Sequence, residues 1–296
     1  MAKKNSVNNE MIHDLRLMLL ARAIDTKAMN LLRQGKTFFH IAGAGHEAIQ
    51  VVVGTALDPK KDWLFPYYRD LAVALSVGIT PYEFFLQCFA KADDPSSGGR
   101  QLPGHWGHTN INMPAQSSPT GTQYLNAVGT ALASVKTGNP VVSYVSSGEG
   151  ATSQGEFHEA VNWASREKLP VLFVVQNNKY DISVPVSSQS GGRQHSISEM
   201  MAGYDNLLRL KIDGTNYFDC KKYVAQALEY IRTGKGPVLL EAEVVRLLSH
   251  SSSDDQRKYR DPKDLEEDLK KCPIEFLSKY MIENNQIGRA SCRERV

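Results

Sequence analysis

The sequence predicts an α/β fold, a mainly parallel sheet flanked by helices, on three observations. Two short apolar, β-branched runs, Val141–Val145 and Val171–Val175, are separated by one helix-length stretch. Each run ends in a polar turn, GEGATSQGE after the first and Gln176-Asn177-Asn178 after the second. Segments with helical periodicity surround this unit. A strand-helix-strand unit of this kind sets neighbouring strands parallel through a right-handed crossover. With no internal repeat and no interdomain linker, one domain is expected over residues 11–286.

The elements follow in order. Residues 1–10 are polar and read as a flexible terminus. Residues 8–34 carry Met11, Leu15, Met18, Leu19, Leu31 and Leu32 at helical spacing and stop at Gly35, a glycine cap. The same periodicity predicts helices over His46–Leu57, Arg69–Val77, Tyr82–Ala90 and Gln123–Lys136. Ala92–Thr122 is rich in Gly, Ser, Pro and His, and a segment that long inside a compact domain is usually functional or disordered. Its Arg100, His105, Trp106 and His108 argue against a plain linker. After Val141–Val145, Ser153 and Glu156 have the spacing of a capping box for a helix running to about Lys168. Further strands are expected near Leu207–Ile212 and Val238–Val245, with a helix over Asp219–Arg232. A last helix shares Ile274, Phe276, Leu277, Tyr280 and Met281 on one face. Ile287–Val296 (IGRASCRERV) abandons that pattern and is what a common sequencing adapter encodes, so it reads as an assembly artefact that replaced native sequence.

Composition narrows the function. The 296 residues are 42% hydrophobic, with 34 Lys+Arg against 32 Asp+Glu. A net charge of +2 gives no electrostatic case for nucleic acid or an acidic membrane surface as partner. Neither a signal peptide nor a membrane-spanning run is visible. Cys88, Cys220, Cys272 and Cys292 show no metal or redox spacing, which points to a reducing, cytoplasmic setting.

The chemistry gathers at the strand ends. In open parallel sheets ligands bind beyond the carboxyl ends of the strands, where Gly148-Glu149-Gly150 and Asn177-Asn178 both fall. Two glycines admit a close anionic ligand, and the following helix start favours phosphate. A carboxylate between them would repel that phosphate unless a cation bridges the two. Glu149, the Asn178 amide oxygen and a backbone carbonyl are the hard oxygen ligands Mg²⁺ prefers. A nicotinamide site fits badly, because Ser153 stands at the third glycine of GxGxxG and no acidic ribose binder follows the second strand.

These motifs resemble the thiamine-diphosphate motif, and the surrounding chain from about Leu15 to Tyr280 is similar to the E1 α subunit of 2-oxo acid dehydrogenase complexes. The resemblance rests on Pro66-Tyr67-Tyr68-Arg69-Asp70, Gly99-Arg100-Gln101-Leu102-Pro103 through His105, Gly148-Glu149-Gly150-Ala151, and Arg246 through His250-Ser251-Ser252-Ser253-Asp254-Asp255. It implies a thiamine-diphosphate-binding fold. It further implies that Glu149, Asn178 and the Tyr180 carbonyl hold Mg²⁺, that Tyr68 and Arg69 contact the diphosphate, and that Gly148, Gly150 and Ala151 approach it with their backbone. Ser118 would bond the aminopyrimidine, Ile182 and Thr120 would pack beside the cofactor, and His250 would sit over the thiazolium as the catalytic residue. A K⁺ site of some relatives maps to Ser117, Pro119, Thr122 and Gln123.

The reaction implied is decarboxylation of a 2-oxo acid and transfer of its acyl group to the lipoyl arm of an E2 acyltransferase. The partner implied is an E1 β subunit, separate or fused, in an α2β2 heterotetramer whose β chain supplies the glutamate that activates the cofactor. The GEGA motif, the Ser117-Ser118-Pro119 turn and the SHSSSDD loop look more like branched-chain enzymes than pyruvate or acetoin ones. The alternative from another class is a non-catalytic α-like scaffold, against which Arg69, Glu149, Asn178 and His250 speak. On residue type alone Arg69 reads equally as an exposed helix-start arginine, and His46, His158 and His195 as surface or satisfied structural histidines. Gln176 stands where some relatives carry an arginine, and Thr120 where they carry an apolar side chain. Ser251 matches a position phosphorylated in some relatives, but a serine in a polar loop is by default unmodified, so no regulation is expected.

Overall fold

The computed structural model describes residues 2–288, with side chains from residue 9 onward. The adapter-like stretch therefore lies outside the described residues from position 289. Helix α1 (Ala2–Arg33) begins before the apolar pattern does and takes in residues 2–10, set apart above as a flexible terminus. A helix already nucleated by its buried face extends over polar residues at little cost. Gly35 ends it with φ +67°, as the glycine predicts.

Five strands form one parallel sheet: β1 (Trp63–Phe65), β2 (Ser143–Gly148), β3 (Val171–Asn177), β6 (Leu208–Asp213) and β7 (Val238–Glu243), in the order β1-β2-β3-β7-β6. Register pairs Phe65 with Val145, Gly148 with Gln176 and Asn177 with Glu243, so four neighbouring strands end close together. A small antiparallel pair, β4 (Tyr180–Asp181) and β5 (Val184–Pro185), follows β3 directly.

Helices cover both faces. Alternate side chains of one strand point to opposite sides, so Tyr144, Leu172, Val174, Leu240 and Ala242 pack with α1, α2 (Glu47–Ala56), α3 (Leu71–Ser76), α4 (Pro81–Cys88), α8 (Tyr217–Arg232) and α10 (Pro273–Glu283). Val145, Phe173, Val175 and Leu239 pack with α5 (Thr122–Lys136), α6 (Gly155–Glu167) and α7 (Ile197–Met200). The short α9 (Pro262–Lys270) buries no residue fully. On α10, Ile274, Leu277 and Met281 are buried as expected, whereas Phe276 is exposed and meets Phe218 in an edge-to-face pair. Among the described residues no helix is long and apolar enough to cross a membrane.

Candidate active site

The segments that follow β1, β2, β3 and β7 meet in one cleft of about 330 Å³ at the carboxyl edge of the sheet. Tyr68 and Arg69 come from the first, Gly148, Glu149, Gly150 and Ala151 from the second, Asn178, Tyr180 and Ile182 from the third, and His250 from the fourth. Ser118 and Thr120 reach the same cleft from the loop before α5. The structure thus brings together every residue named from the sequence for the cofactor, the divalent cation and catalysis. Of the K⁺-type positions, Ser117, Pro119 and Gln123 line the cleft and Thr122 does not. Gln123 is engaged internally, its Nε2 donating to the Ser146 carbonyl at 3.1 Å.

Residues 92–121 form no helix or strand beyond a single bridge between His108 and Met113, but they are tightly tied. Asp94 accepts from the backbone N–H groups of Ser96, Ser97 and Gly99, and buried Trp106 donates from Nε1 to the Tyr67 carbonyl at 2.9 Å. That anchor brings Gly104, His105 and residues 116–120 over the cleft, where His105 Nε2 and the Ser118 hydroxyl lie 2.8 Å apart. Arg100 does not reach it: its Nε donates to Ser97 O at 2.6 Å.

Glu149 is 1% exposed, and burial pushes its carboxyl up to about 7. Oε2 accepts from the Asn178 backbone N–H at 3.1 Å, while Oε1 is buried with no partner. Buried polar atoms are seldom left unpaired, and an orphan of this kind calls for a ligand. Asn178 Oδ1 accepts one hydrogen bond, from Tyr180 N–H at 3.3 Å, and the Tyr180 carbonyl accepts one, from Arg246 Nη1 at 3.3 Å. Each oxygen keeps a lone pair. One carboxylate, one amide oxygen and one carbonyl suit a hard cation that retains water or phosphate ligands. Among the described residues no three His, Cys, Asp or Glu side chains cluster as a metal site. A Cβ at Gly150 would collide with the Asp181 side chain, so glycine is what lets Asp181 pack against this turn.

Two arginines stand behind this oxygen set. Arg69 is 2% exposed, donates to Ala42 O at 2.6 Å and to His250 O at 3.3 Å, and leaves Nε without a partner. Arg246 holds the Tyr180 and Ile182 carbonyls and the Tyr259 hydroxyl. Neither lies within 4.0 Å of a carboxylate among the described residues. Buried unpaired cations are costly and are stabilised by an incoming anion. Arg69 Nη2 also lies 3.4 Å from His250 Nδ1. A guanidinium can only donate, so Nδ1 accepts and Nε2 carries the proton. Burial, then the charges of Arg69 and Arg246, lower His250 to about 4 and keep it neutral.

Several expectations are corrected. The capping box of Ser153 and Glu156 does not form: Glu149–Ser153 is a 3-10 turn, closed by Thr152 Oγ1 donating to Glu149 O at 2.6 Å, and α6 starts at Gly155 with Gln154 as its cap residue. Gln176 does not face the cleft. Its Nε2 donates to Asp70 at 2.7 Å and its Oε1 accepts from Gln50 at 2.8 Å. Asn177 is structural, held by Glu241 at 2.9 Å. His46, read above as a surface or satisfied structural residue, is fully buried, with Nε2 at 3.3 Å from Asn178 Nδ2. Asp181 lines the cleft too and was not singled out; a charged residue next to Tyr180 carried no sequence signal.

Residues 15–293 match the family described as "Dehydrogenase E1 component". The chain is 41% identical over 281 residues to the 2-oxoisovalerate dehydrogenase subunit alpha of Bacillus subtilis, covering 95% of this chain and 84% of that one. It is 35% identical over 270 residues to the 3-methyl-2-oxobutanoate dehydrogenase subunit alpha of Mycobacterium tuberculosis, with 90% and 68% covered. Identity to the pyruvate dehydrogenase E1 component subunit alpha of Bacillus subtilis is 34% over 247 residues, with 83% and 63% covered.

Proposed function

The chain belongs to the dehydrogenase E1 component family, and from that membership we propose that it is the α chain of a thiamine-diphosphate-dependent 2-oxo acid dehydrogenase acting on branched-chain substrates such as 3-methyl-2-oxobutanoate. It decarboxylates the 2-oxo acid together with a β partner and passes the acyl group to the lipoyl arm of an E2 acyltransferase. The observation that carries the reading is the juxtaposition, in one cleft, of an unpartnered Glu149 oxygen with the buried, acid-free Arg69, with Arg246 behind it on the Tyr180 and Ile182 carbonyls. Such a site is complementary to a polyanion bridged by a divalent cation.

When bound, thiamine diphosphate supplies the carbanion and electron sink of the reaction. On our reading Glu149, Asn178 and the Tyr180 carbonyl hold Mg²⁺, and Arg69, Tyr68 and the backbone of Gly148, Gly150 and Ala151 hold the diphosphate. Ser118, Thr120 and Ile182 border its organic part. Ile182 has φ +54°, unusual for a β-branched residue, and Arg246 restrains its carbonyl at 3.0 Å. Neutral His250 offers an Nε2 proton as a hydrogen-bond donor to an oxygen that gains charge. We further infer an α2β2 assembly, a K⁺ at the Ser117–Gln123 turn and a cytoplasmic setting, the last consistent with Cys88, Cys220 and Cys272 as buried free thiols.

The test is reconstitution with the β partner, followed by dye reduction with 3-methyl-2-oxobutanoate and with pyruvate, each with and without thiamine diphosphate and Mg²⁺. Cofactor-dependent turnover favouring the branched substrate is expected, and the α chain alone should be silent. A strong preference for pyruvate would overturn the substrate, and turnover without thiamine diphosphate would overturn the reaction.

A further inference from the structure

Behind the cleft, His46 closes the start of α2 with no exposed surface. Its Nε2 lies 3.3 Å from the amide nitrogen of Asn178, and its Nδ1 is buried without a partner. The polarity of this contact follows from chemistry. The backbone N–H of Tyr180 is a fixed donor 3.3 Å from Asn178 Oδ1, so the amide must turn its oxygen to Tyr180 and its NH₂ to His46. An NH₂ group only donates, so His46 Nε2 accepts. A protonated ring would set N–H against N–H at this contact.

Resting on the function proposed above, we propose that His46 is a positioning residue: a neutral acceptor that holds the Asn178 amide with its oxygen toward the divalent cation. Flipping the amide would bring its oxygen against the bare Nε2 and its NH₂ against the Tyr180 N–H, two repulsive contacts in place of two bonds. Oδ1 thus stays turned away from the imidazole, toward the Tyr180 turn. Groups that orient a metal ligand from behind typically change metal affinity about 10- to 100-fold when removed.

The test uses the full chain with its β partner and thiamine diphosphate, and reads Mn²⁺ binding from loss of the free-ion paramagnetic resonance signal. His46→Leu, which has no acceptor, should weaken Mn²⁺ binding by roughly 10-fold or more. His46→Gln, whose carbonyl can accept from the Asn178 amide, should recover most of it. The KM for the 2-oxo acid at saturating metal should stay unchanged in both. Wild-type affinity in His46→Leu would overturn the proposal, and so would His46→Gln binding as weakly as His46→Leu, since the loss would then be one of packing. Should His46→Leu not fold, His46→Phe, closer in shape, takes its place with the same expectations. If the unaltered complex bound no Mn²⁺ with thiamine diphosphate, the proposed function itself would fall and this inference with it.

Discussion

A guanidinium with no counter-ion is an expensive thing to bury, and on the proposed reading the diphosphate offsets that cost at Arg69. Two of its nitrogens are spent on Ala42 O and on His250, which fixes the plane of the fork. Arg69→Lys keeps the charge and loses the fork. We expect it to raise the thiamine diphosphate concentration for half-saturation by about 10-fold or more, the loss of one charge-assisted hydrogen bond, as read by cofactor titration of the reconstituted enzyme. Unchanged affinity would remove Arg69 from the diphosphate contact. Arg69, Glu149, Asn178 and His250 were legible in the sequence because each stands in a distinctive run. His46 was not: a lone histidine before a helix carries no such run, and its contact with Asn178 spans 132 positions. The role of Gln176 was equally invisible, since its place at the end of a strand says nothing of the Asp70 carboxylate it donates to.

At the scale of elements, turns do as much as strands. Gly45 has φ +99°, and a Cβ there would strike the Val245 carbonyl just past β7. The adjoining backbone is pinned to the same strand end, Leu247 N–H donating to Ala44 O at 3.2 Å. Gly45→Ala should therefore cost about 2–3 kcal/mol from strain and displacement, measured as a lower urea midpoint; an unchanged midpoint would show that the loop yields freely. The helices other than α7 and α9 were readable from their apolar period, and β2, β3, β6 and β7 as short apolar runs, those of β2, β3 and β7 being buried almost without interruption. Strand β1 was missed, three residues being too short for any period, and it exists because Leu64 and Phe65 pair with Tyr144 and Val145 far along the chain. Strand β2 runs from Ser143 rather than Val141, its polar Ser146 and Ser147 being buried and bonded to Asp70 and Tyr124 instead of solvated.

For the molecule as a whole, Asp70 sets a pH response. It is fully buried and accepts from Tyr144 at 2.9 Å, from Gln176 at 2.7 Å and from Ser146, yet burial outweighs these bonds and raises it from 3.8 to about 6. The unfolded chain ionises first as pH rises, so this group leaves stability intact below about 3.8, erodes it up to about 6 and changes nothing beyond. The total is on the order of 3 kcal/mol. Denaturant titrations at pH 4 and pH 7 should show wild type losing that much relative to Asp70→Asn; parallel curves would refute it. The parallel sheet has a kinetic corollary as well. Residues 68, 149, 178 and 250 become neighbours only once β1, β2, β3 and β7 have all found their places, and non-local parallel pairing is slow. Helical signal should therefore return early in refolding while capture of thiamine diphosphate lags behind it in stopped-flow traces. The ligand acts as a clock for the last long-range closure of the chain, and a species trapped with its helices formed would be blind to it.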